Sequence, residues 1–488
     1  MYSSIESWND LSRRNLLRYG LATIRETLRQ TTDQPVEPSV IATLSAYMGN
    51  AADRLVPDEA TERTKQHLLD TIASMISGID LPPGRMGLKF IESYRGSGSA
   101  TVAGSGVSCG PLEAAMANAM LAHSDETDDS HAPSQSHPGC GVIPAALAAA
   151  EHFAIDGTHL LRAIALGYDV GTRVSMTLGG EDYQTHFHRD THSICTVFGA
   201  GAAAACAAKL NAQQMRWVLD YSAQQASGIA AWQRDTHHVE KALVFGGFAA
   251  RDALSTALLI HAGATGVNDV LSGPDNFFLA FKPEADPQGL IDKLGERYEV
   301  TRTNIKKWTV GSPIQAVLDA LELLLHEHPV KPADVREVVV RIGSGEAHIV
   351  DNRDMPDISL QHMVAVMITD GTVTFRSAHD QARMQDSGIQ KLRSQVRLVY
   401  DDGLQRLYPV RVAVVEITTT DGKTYSKRVD AVRGSAENPM STKEVVTKAQ
   451  DLISPILGTE RSGRLIEAVL KIEKISNVRF LGPMLRRA

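Results

Sequence analysis

Four alanine-rich stretches, Pro111–His123, Gly141–Phe153, Gly199–Leu210 and Ala249–Gly263, with a fifth helical stretch at Gln213–Gly228, set the tightest limit on what this chain folds into. Each reads as a helix, and side chains this small let helices cross closely, which predicts a compact helical core. Further stripes support it: Ile41, Leu44, Met48 and Ala52 fall near one helical face, and Leu68, Leu69, Ile72, Met75 and Ile76 mark another within Lys65–Ile79. Pro82-Pro83-Gly84 ends that helix. Ala100–Ala103 reads as a short strand or turn before the glycine-rich Gly104–Gly110. Aromatics are only 5% of the 488 residues, which argues against a β-sandwich.

The pattern changes near Lys306. Val335–Ile342 and Val410–Thr418 carry the β-branched alternation of half-buried strands, and Asp421-Gly422 is a hairpin turn leading into Thr424–Val429. Pro313–His326 and Gln361–Asp370 read as helices between them, so this region is a smaller α+β unit. Arg433–Pro439 reads as a linker, and Ser441–Ile475 returns to helix. The expected fold class is mainly α. Residues 1–37 form an N-terminal extension, 38–303 a large all-helical domain, 304–438 the smaller α+β domain, and 439–488 helices that rejoin the helical domain.

Charge excludes some functions. Lys+Arg number 49 against Asp+Glu 57, a net charge of −8, so a broad basic nucleic-acid surface is not expected. A local group of lysines can still hold a small anion against that global sign. No stretch reaches the roughly 18 uncharged apolar residues of a membrane span. Cys109, Cys140, Cys195 and Cys206 form no C-x-x-C pair, which fits free, buried thiols in a reducing cytoplasm better than a zinc or iron–sulfur site. Ser12–Arg18 (SRRNLLR) has the look of a twin-arginine signal, but Arg25, Glu26 and Arg29 interrupt the apolar run such a signal needs, so an exposed basic helix is the expectation.

Histidine is unevenly placed: eight of 17 fall between His123 and His192, where even scatter would put two or three. The run Ala122-His123-Ser124-Asp125-Glu126-Thr127-Asp128-Asp129-Ser130-His131, with His137-Pro138-Gly139 beyond it, leaves one helix and ends before the next. Acids and imidazoles on a loop between packed helices suit proton transfer.

This run resembles the MmgE/PrpD family, which includes 2-methylcitrate dehydratases, cis-aconitate decarboxylases and iminodisuccinate epimerases. The likeness continues through Phe198-Gly199, Glu240-Lys241 before Gly246–Arg251, Ile305–Trp308, and Ser359–His362 before a helix ending in Asp370-Gly371. It implies a large helical domain with an α+β lid, a site between them, a homodimer, and neither metal nor organic cofactor. Carried over residue by residue, His137 takes the catalytic histidine position, Ser130 the hydroxyl position, and Glu126 the place of an aspartate. Lys241 and Lys306 match two lysines of an anion pocket, although one extra residue separates Lys241 from Arg251. Asp190 falls where a histidine is usual, flanked by His188 and His192; Gly311 replaces a histidine and His362 a tyrosine.

The candidate catalytic set is therefore His137, Glu126, Asp129, Ser130, Lys241 and Lys306. Asp190, His188, His192, Arg251, His362 and Gln315 are candidate substrate contacts. The lysines would hold substrate carboxylates and offset the charge of a carbanion, while His137 moves a proton and Glu126 or Asp129 orients an imidazole or acts as the opposite base. Glu126, Asp128, His131 and His137 could in principle ligate a metal, but that loop has no H-x-H or H-E-x-x-H pattern, so none is expected. Each residue also has a plainer reading: Asp128 and Asp129 as helix caps or solvated acids, His186 and His188 as an exposed-loop pair, His362 as a core histidine. Lys241 stands near Gly-Gly, where backbone can approach a ligand, and Asp235–His238 is a candidate pocket rim. The expected function is a cofactor-independent lyase on a small di- or tricarboxylate, with dehydration of a 2-methylcitrate-like hydroxy acid as its leading form. Epimerisation of an amino- or imino-dicarboxylate and decarboxylation of a cis-aconitate-like acid are the alternatives. A non-catalytic small-acid-binding protein is the alternative from another class.

Overall fold

The computed structural model describes residues 38–487 apart from 95, 97 and 236. The twin-arginine-like run and the extension 1–37 lie outside the described residues, as does Thr236 of the candidate rim. Helices dominate, and a four-stranded sheet belongs to the C-terminal half.

Buried apolar side chains fall into two clusters. One draws on Ile41 through Ile305 and again on Met440 through Leu485; the other runs from Trp308 to Val429. In the first, the helices used below are α1 (Asp58–Ser77), α2 (Pro111–Ala122), α3 (Gly139–Phe153), α4 (Gly157–Leu178), α5 (Thr191–Ala207) and α6 (Phe248–His261). Their ends follow local chemistry. Asp156 and Asp190 cap α4 and α5 by accepting from backbone N–H groups of the first turn, while Pro111 opens α2, where a missing N–H costs nothing.

The close crossing predicted from small residues is centred on α4 and α5. A Cβ added at Gly171 would stand 2.3 Å from the Cys195 carbonyl oxygen, and one at Gly199 would stand 2.6 Å from that of Gly167. The two backbones touch there, which only glycine permits. The first region is not purely helical, since β1 (Ala100–Thr101) pairs antiparallel with β2 (Ser108–Cys109).

In the second cluster, β3 (Val335–Gly343) runs parallel to β4 (Val396–Asp401) and antiparallel to β5 (Ala413–Thr419), which pairs with β6 (Thr424–Val429); the order is β4-β3-β5-β6. Strand β4 was not expected. Its alternation is only half-buried and gives a weak signal. Strand β5 starts at Ala413 rather than Val410 and alternates buried and half-buried side chains. Helices α7 (Ser312–Glu327) and α8 (Leu360–Asp370) pack in the same cluster as the buried residues of β3 and β5. Beyond the sheet, α9 (Thr442–Leu457) returns to lie on α1.

The run from Val239 to His261 is long and apolar enough to cross a membrane by length and composition. Arg251 and Asp252 interrupt it, and Phe245, Ala250, Leu254 and Ala257 bury its inner side among the other helices. A one-turn π-helix, Leu243–Gly247, sits inside it. A π turn holds one residue more than an α turn, and this one falls between Lys241 and Arg251.

Replacing Gly171 by alanine is expected to lower stability by about 1–3 kcal/mol through overpacking, read as a lower urea midpoint with unchanged slope. The same change at Gly463, where a Cβ meets nothing within 4 Å, leaves the midpoint in place or raises it.

Candidate active site

Between the end of α2 and the start of α3, the loop 123–138 is almost wholly buried. Burial decides its chemistry, because each acid must find a partner or lose its charge. The Glu126 carboxylate takes three cations or donors. Lys241 Nζ contacts Oε1, His238 Nε2 stands 3.0 Å from the same oxygen, and Lys306 Nζ is 3.4 Å from Oε2 while donating to the Glu126 carbonyl at 2.9 Å. Burial alone would raise this carboxyl, but Lys241, Lys306 and His238 hold it well below the usual carboxylate range.

Asp128 is the second hub. Its Oδ2 is 2.9 Å from His123 Nδ1, and its Oδ1 is 3.3 Å from His137 Nδ1 and 3.8 Å from Lys306 Nζ. The two imidazoles overcome the burial that would otherwise raise Asp128, so it stays well below the normal range. His123 is fully buried, and desolvation drives it down to about 3 despite Asp128. His192 stacks 3.8 Å from Phe245 with rings 8° from parallel; burial, with help from His137 and Lys241, keeps it neutral. His137 lies 4.9 Å from His123 and 5.3 Å from His192, centroid to centroid, and keeps 11% side-chain exposure. Lys241, Lys306 and His137 therefore do meet, joined through Glu126 and Asp128.

Ser130 pairs with Asn304 through both backbone hydrogen bonds, which brings it beside Lys306. Both line a cavity of about 110 Å³, whose other wall carries Gln315, Arg411 and Arg433 from the second cluster.

Several candidates stand elsewhere. Asp129 does not face His137: it accepts from the Gly139 N–H at 2.9 Å, from Tyr168, and lies 2.8 Å from His67 Nδ1, so it caps α3 and orients a different imidazole. Neither Asp128 nor Asp129 is solvated. The Asp190 oxygens are taken by the N–H groups of His192 and Ser193 and by the Trp232 indole, which makes it a helix cap; burial lifts it to about 6. His186 is not in a loop but in the last turn of the helix Gly180–Phe187, and His188 is its left-handed cap, lining an exposed groove with Phe187 and Ile229. Arg251 pairs with its neighbour Asp252 across the exposed side of α6. His362 is buried among the second cluster, where desolvation, with Arg393 and Arg383 nearby, lowers it to about 4. Gln315 edges the cavity, but its amide is occupied by the Trp308 and Val310 backbone. Gly246 approaches the Ala119 and Cys140 carbonyls rather than a ligand.

The residues weighed for a metal do not gather either, because His131 turns to Ser134 and to Glu299 at 3.3 Å. His123, Asp128 and Cys140 do come within 4.8 Å of one another. They suit an ion poorly: burial and the nearby acids keep the Cys140 thiol protonated, and Asp128 is already shared by two histidines. Sequence reasoning placed His238 only on a rim and missed Phe245 and His379 altogether. His379 Nε2 lies 2.8 Å from Asp125 Oδ2.

Lys306→Met removes a cation from two buried carboxylates. Breaking such a pair is expected to cost about 3–5 kcal/mol, measured as the shift in denaturation midpoint at pH 7. The exposed pair Lys423–Asp421 is the control, and Lys423→Met leaves the midpoint within error.

Residues 42–289 match the MmgE/PrpD N-terminal domain and residues 308–474 the MmgE/PrpD C-terminal domain. A cis-aconitate decarboxylase-like protein of Aspergillus oryzae is 25% identical over 92% of this chain and 97% of its own. A cis-aconitate decarboxylase of Aspergillus terreus is 24% identical over 92% and 96%, and the human cis-aconitate decarboxylase is 24% identical over 90% and 92%. With both domain matches in order across most of its length, the chain belongs to the MmgE/PrpD family.

Proposed function

We propose that this protein is a carbon–carbon lyase that decarboxylates a small unsaturated tricarboxylate of the cis-aconitate kind. The observation that carries the reading is the meeting of Lys241, Lys306 and His137 around the buried Glu126 and Asp128. The names of the full-length relatives support it over the expected dehydration of a 2-methylcitrate-like acid.

The chemistry fits the site. When an allylic carboxylate leaves as CO2, the electrons of the broken C–C bond form a new double bond to the central carbon, the π pair of the old double bond shifts to the far carbon, and that carbon takes up one proton. The reaction asks for cations that hold the remaining carboxylates and offset the charge passing onto carbon, together with one proton donor. Lys241 and Lys306 are such cations, and an entering carboxylate competes with Glu126 for them. His137 is the donor, because it keeps some exposure whereas burial holds His123 and His192 neutral. Dehydration instead requires an acid at the hydroxyl and a base at the adjacent carbon. Of the two acids expected as an opposite base, Asp129 is committed to capping α3 and Glu126 is held by Lys241 and Lys306.

Incubation with cis-aconitate in D2O tests the reading: CO2 release with one deuterium at the far carbon is the expected result. A panel of citrate, 2-methylcitrate and iminodisuccinate separates the rivals. A new alkene from 2-methylcitrate means dehydration, deuterium exchange in iminodisuccinate without a new product means epimerisation, and thermal stabilisation without turnover means a binding protein. Either of the last two, or dehydration without CO2 release, overturns the proposal. His137→Ala is expected to abolish turnover with the melting temperature within a few degrees of the parent. Lys241→Ala is expected to weaken substrate binding by about 1.5–3 kcal/mol, the size of a charge-assisted hydrogen bond, seen mainly in KM.

A further inference from the structure

Glu126 occupies the middle of a turn built by its neighbour. Asp125 accepts from the Thr127 N–H at 3.0 Å and from the Thr127 hydroxyl at 2.6 Å, closing a three-residue Asx turn with Glu126 at its apex. Three cations hold this turn from outside: Lys306 on the Glu126 carbonyl, Lys448 of α9 on the Thr127 carbonyl at 2.9 Å, and His379 on the Asp125 carboxylate. His379 directly follows the short helix Phe375–Ala378, whose Phe375 packs on the first cluster and whose Ala378 is buried in the second.

Contacts on both sides favour the charged state of this ring. Its Nδ1 is 2.8 Å from the Phe375 carbonyl oxygen, which can only accept, and its Nε2 is 2.8 Å from a carboxylate oxygen of Asp125. Nδ1 donates its proton to that carbonyl, and the Asp125 carboxylate at ion-pair distance from Nε2, although not aligned as a hydrogen-bond acceptor, favours a second proton there, so the ring is an imidazolium. The Asp357 carboxylate lies 3.9 Å from the same Nε2, and the Asp357 carbonyl accepts from Gly311 at the start of α7. The contact thus links the acid loop to two segments of the smaller core.

We propose that His379 is a positioning residue for the candidate reaction: as an imidazolium between Asp125 and Asp357, it ties the smaller core to the Asx turn and so holds Glu126 in register with Lys241 and Lys306. The proposal rests on reading the loop 123–137 as the reaction site, but its structural half is testable without a substrate.

The titratable groups facing His379 are Asp125 and Asp357, and Asp357 is in turn influenced by His238 and Glu126. Burial opposes the charge on His379, but the two acids raise it to about 9. A histidine raised above its free value of about 6.5 contributes stability that is complete below that pH and lost as pH rises through about 9. The bridge is therefore intact at neutral pH and fails on the alkaline side.

Hydrogen exchange of the backbone amides 124–130, corrected for intrinsic rates, is the decisive measurement on the full chain. In His379→Gln these amides are expected to exchange at least tenfold faster at pH 7, while those of β3 are unchanged. The parent loses the same protection between pH 8 and 10, and the variant shows no such transition. Asp125→Asn tests the bridge from the other side, and the double variant exchanges no faster than either single one. Should His379→Gln fail to fold, Asp125→Asn carries the test alone. With cis-aconitate as probe, both variants are expected to lower kcat at least tenfold with KM within threefold, and His379→Lys, which restores the charge, recovers part of it. Unchanged loop exchange in folded variants overturns the proposal, as does exchange that rises equally throughout the smaller core. Absence of turnover by the parent would sink the functional reading while leaving the loop measurement to decide the bridge.

Discussion

A carboxylate removed from water must be surrounded by positive charge, and the buried Glu126 is where this requirement organises the protein. Its partners, Lys241, His238 and Lys306, come from positions 112 to 180 residues away in the chain. No local sequence preference brings them together. The desolvation cost of Glu126 is offset only when the π-helical segment, the strand-like run at Asn304–Lys306 and the loop after α2 are all docked. The site is thereby coupled to completion of the fold.

The same logic extends outward. Asp128 is balanced by two imidazoles and Lys306, Asp129 by Tyr168, His67 and the first turn of α3, and Asp125 by His379 and Thr127. Four acids within five residues would repel one another in water. Here each is turned to a different wall and meets its own donors, so the run acts as a rigid strip rather than a flexible acidic loop. Two of those walls are made by late parts of the chain. Lys448 on α9, which returns to α1, is 2.6 Å from Asp70 and also holds the Thr127 carbonyl. His379 directly follows Ala378, which is buried in the smaller core. An assembly fixed on so many sides is preorganised, which is what the proposed reaction asks of it.

Much of this was legible in the sequence. Alanine-rich stripes, the change to β-branched alternation after Lys306 and the Asp-Gly turn carry their own physical causes over short distances, and helices and strands stand close to where those signals put them. The family's motifs led to His137, Glu126, Lys241 and Lys306, which the structure brings together. Other residues could not be read this way. Asp190 and His188 sit in sequence beside His192, yet one is spent as a helix cap and the other is a left-handed helix terminus on an exposed groove, while His192 stacks on Phe245. Strand β4 is half-buried and lacks a clear period, and His379 has no neighbours in sequence to mark it.

What the sequence determined alone is therefore what depends on near neighbours: the helical periodicity, the glycines that let α4 and α5 touch, the hairpin, and the supply of acids and imidazoles on one loop. What only the tertiary structure decided is which of those side chains face one another. Adjacent residues of an irregular loop point in different directions, so Asp128 reaches His137 while Asp129 caps a helix. The choice between them was made by the partners that burial forced each carboxylate to find, and those partners lie on other elements: His123, His137 and Lys306 for Asp128, and His67, Tyr168 and the start of α3 for Asp129.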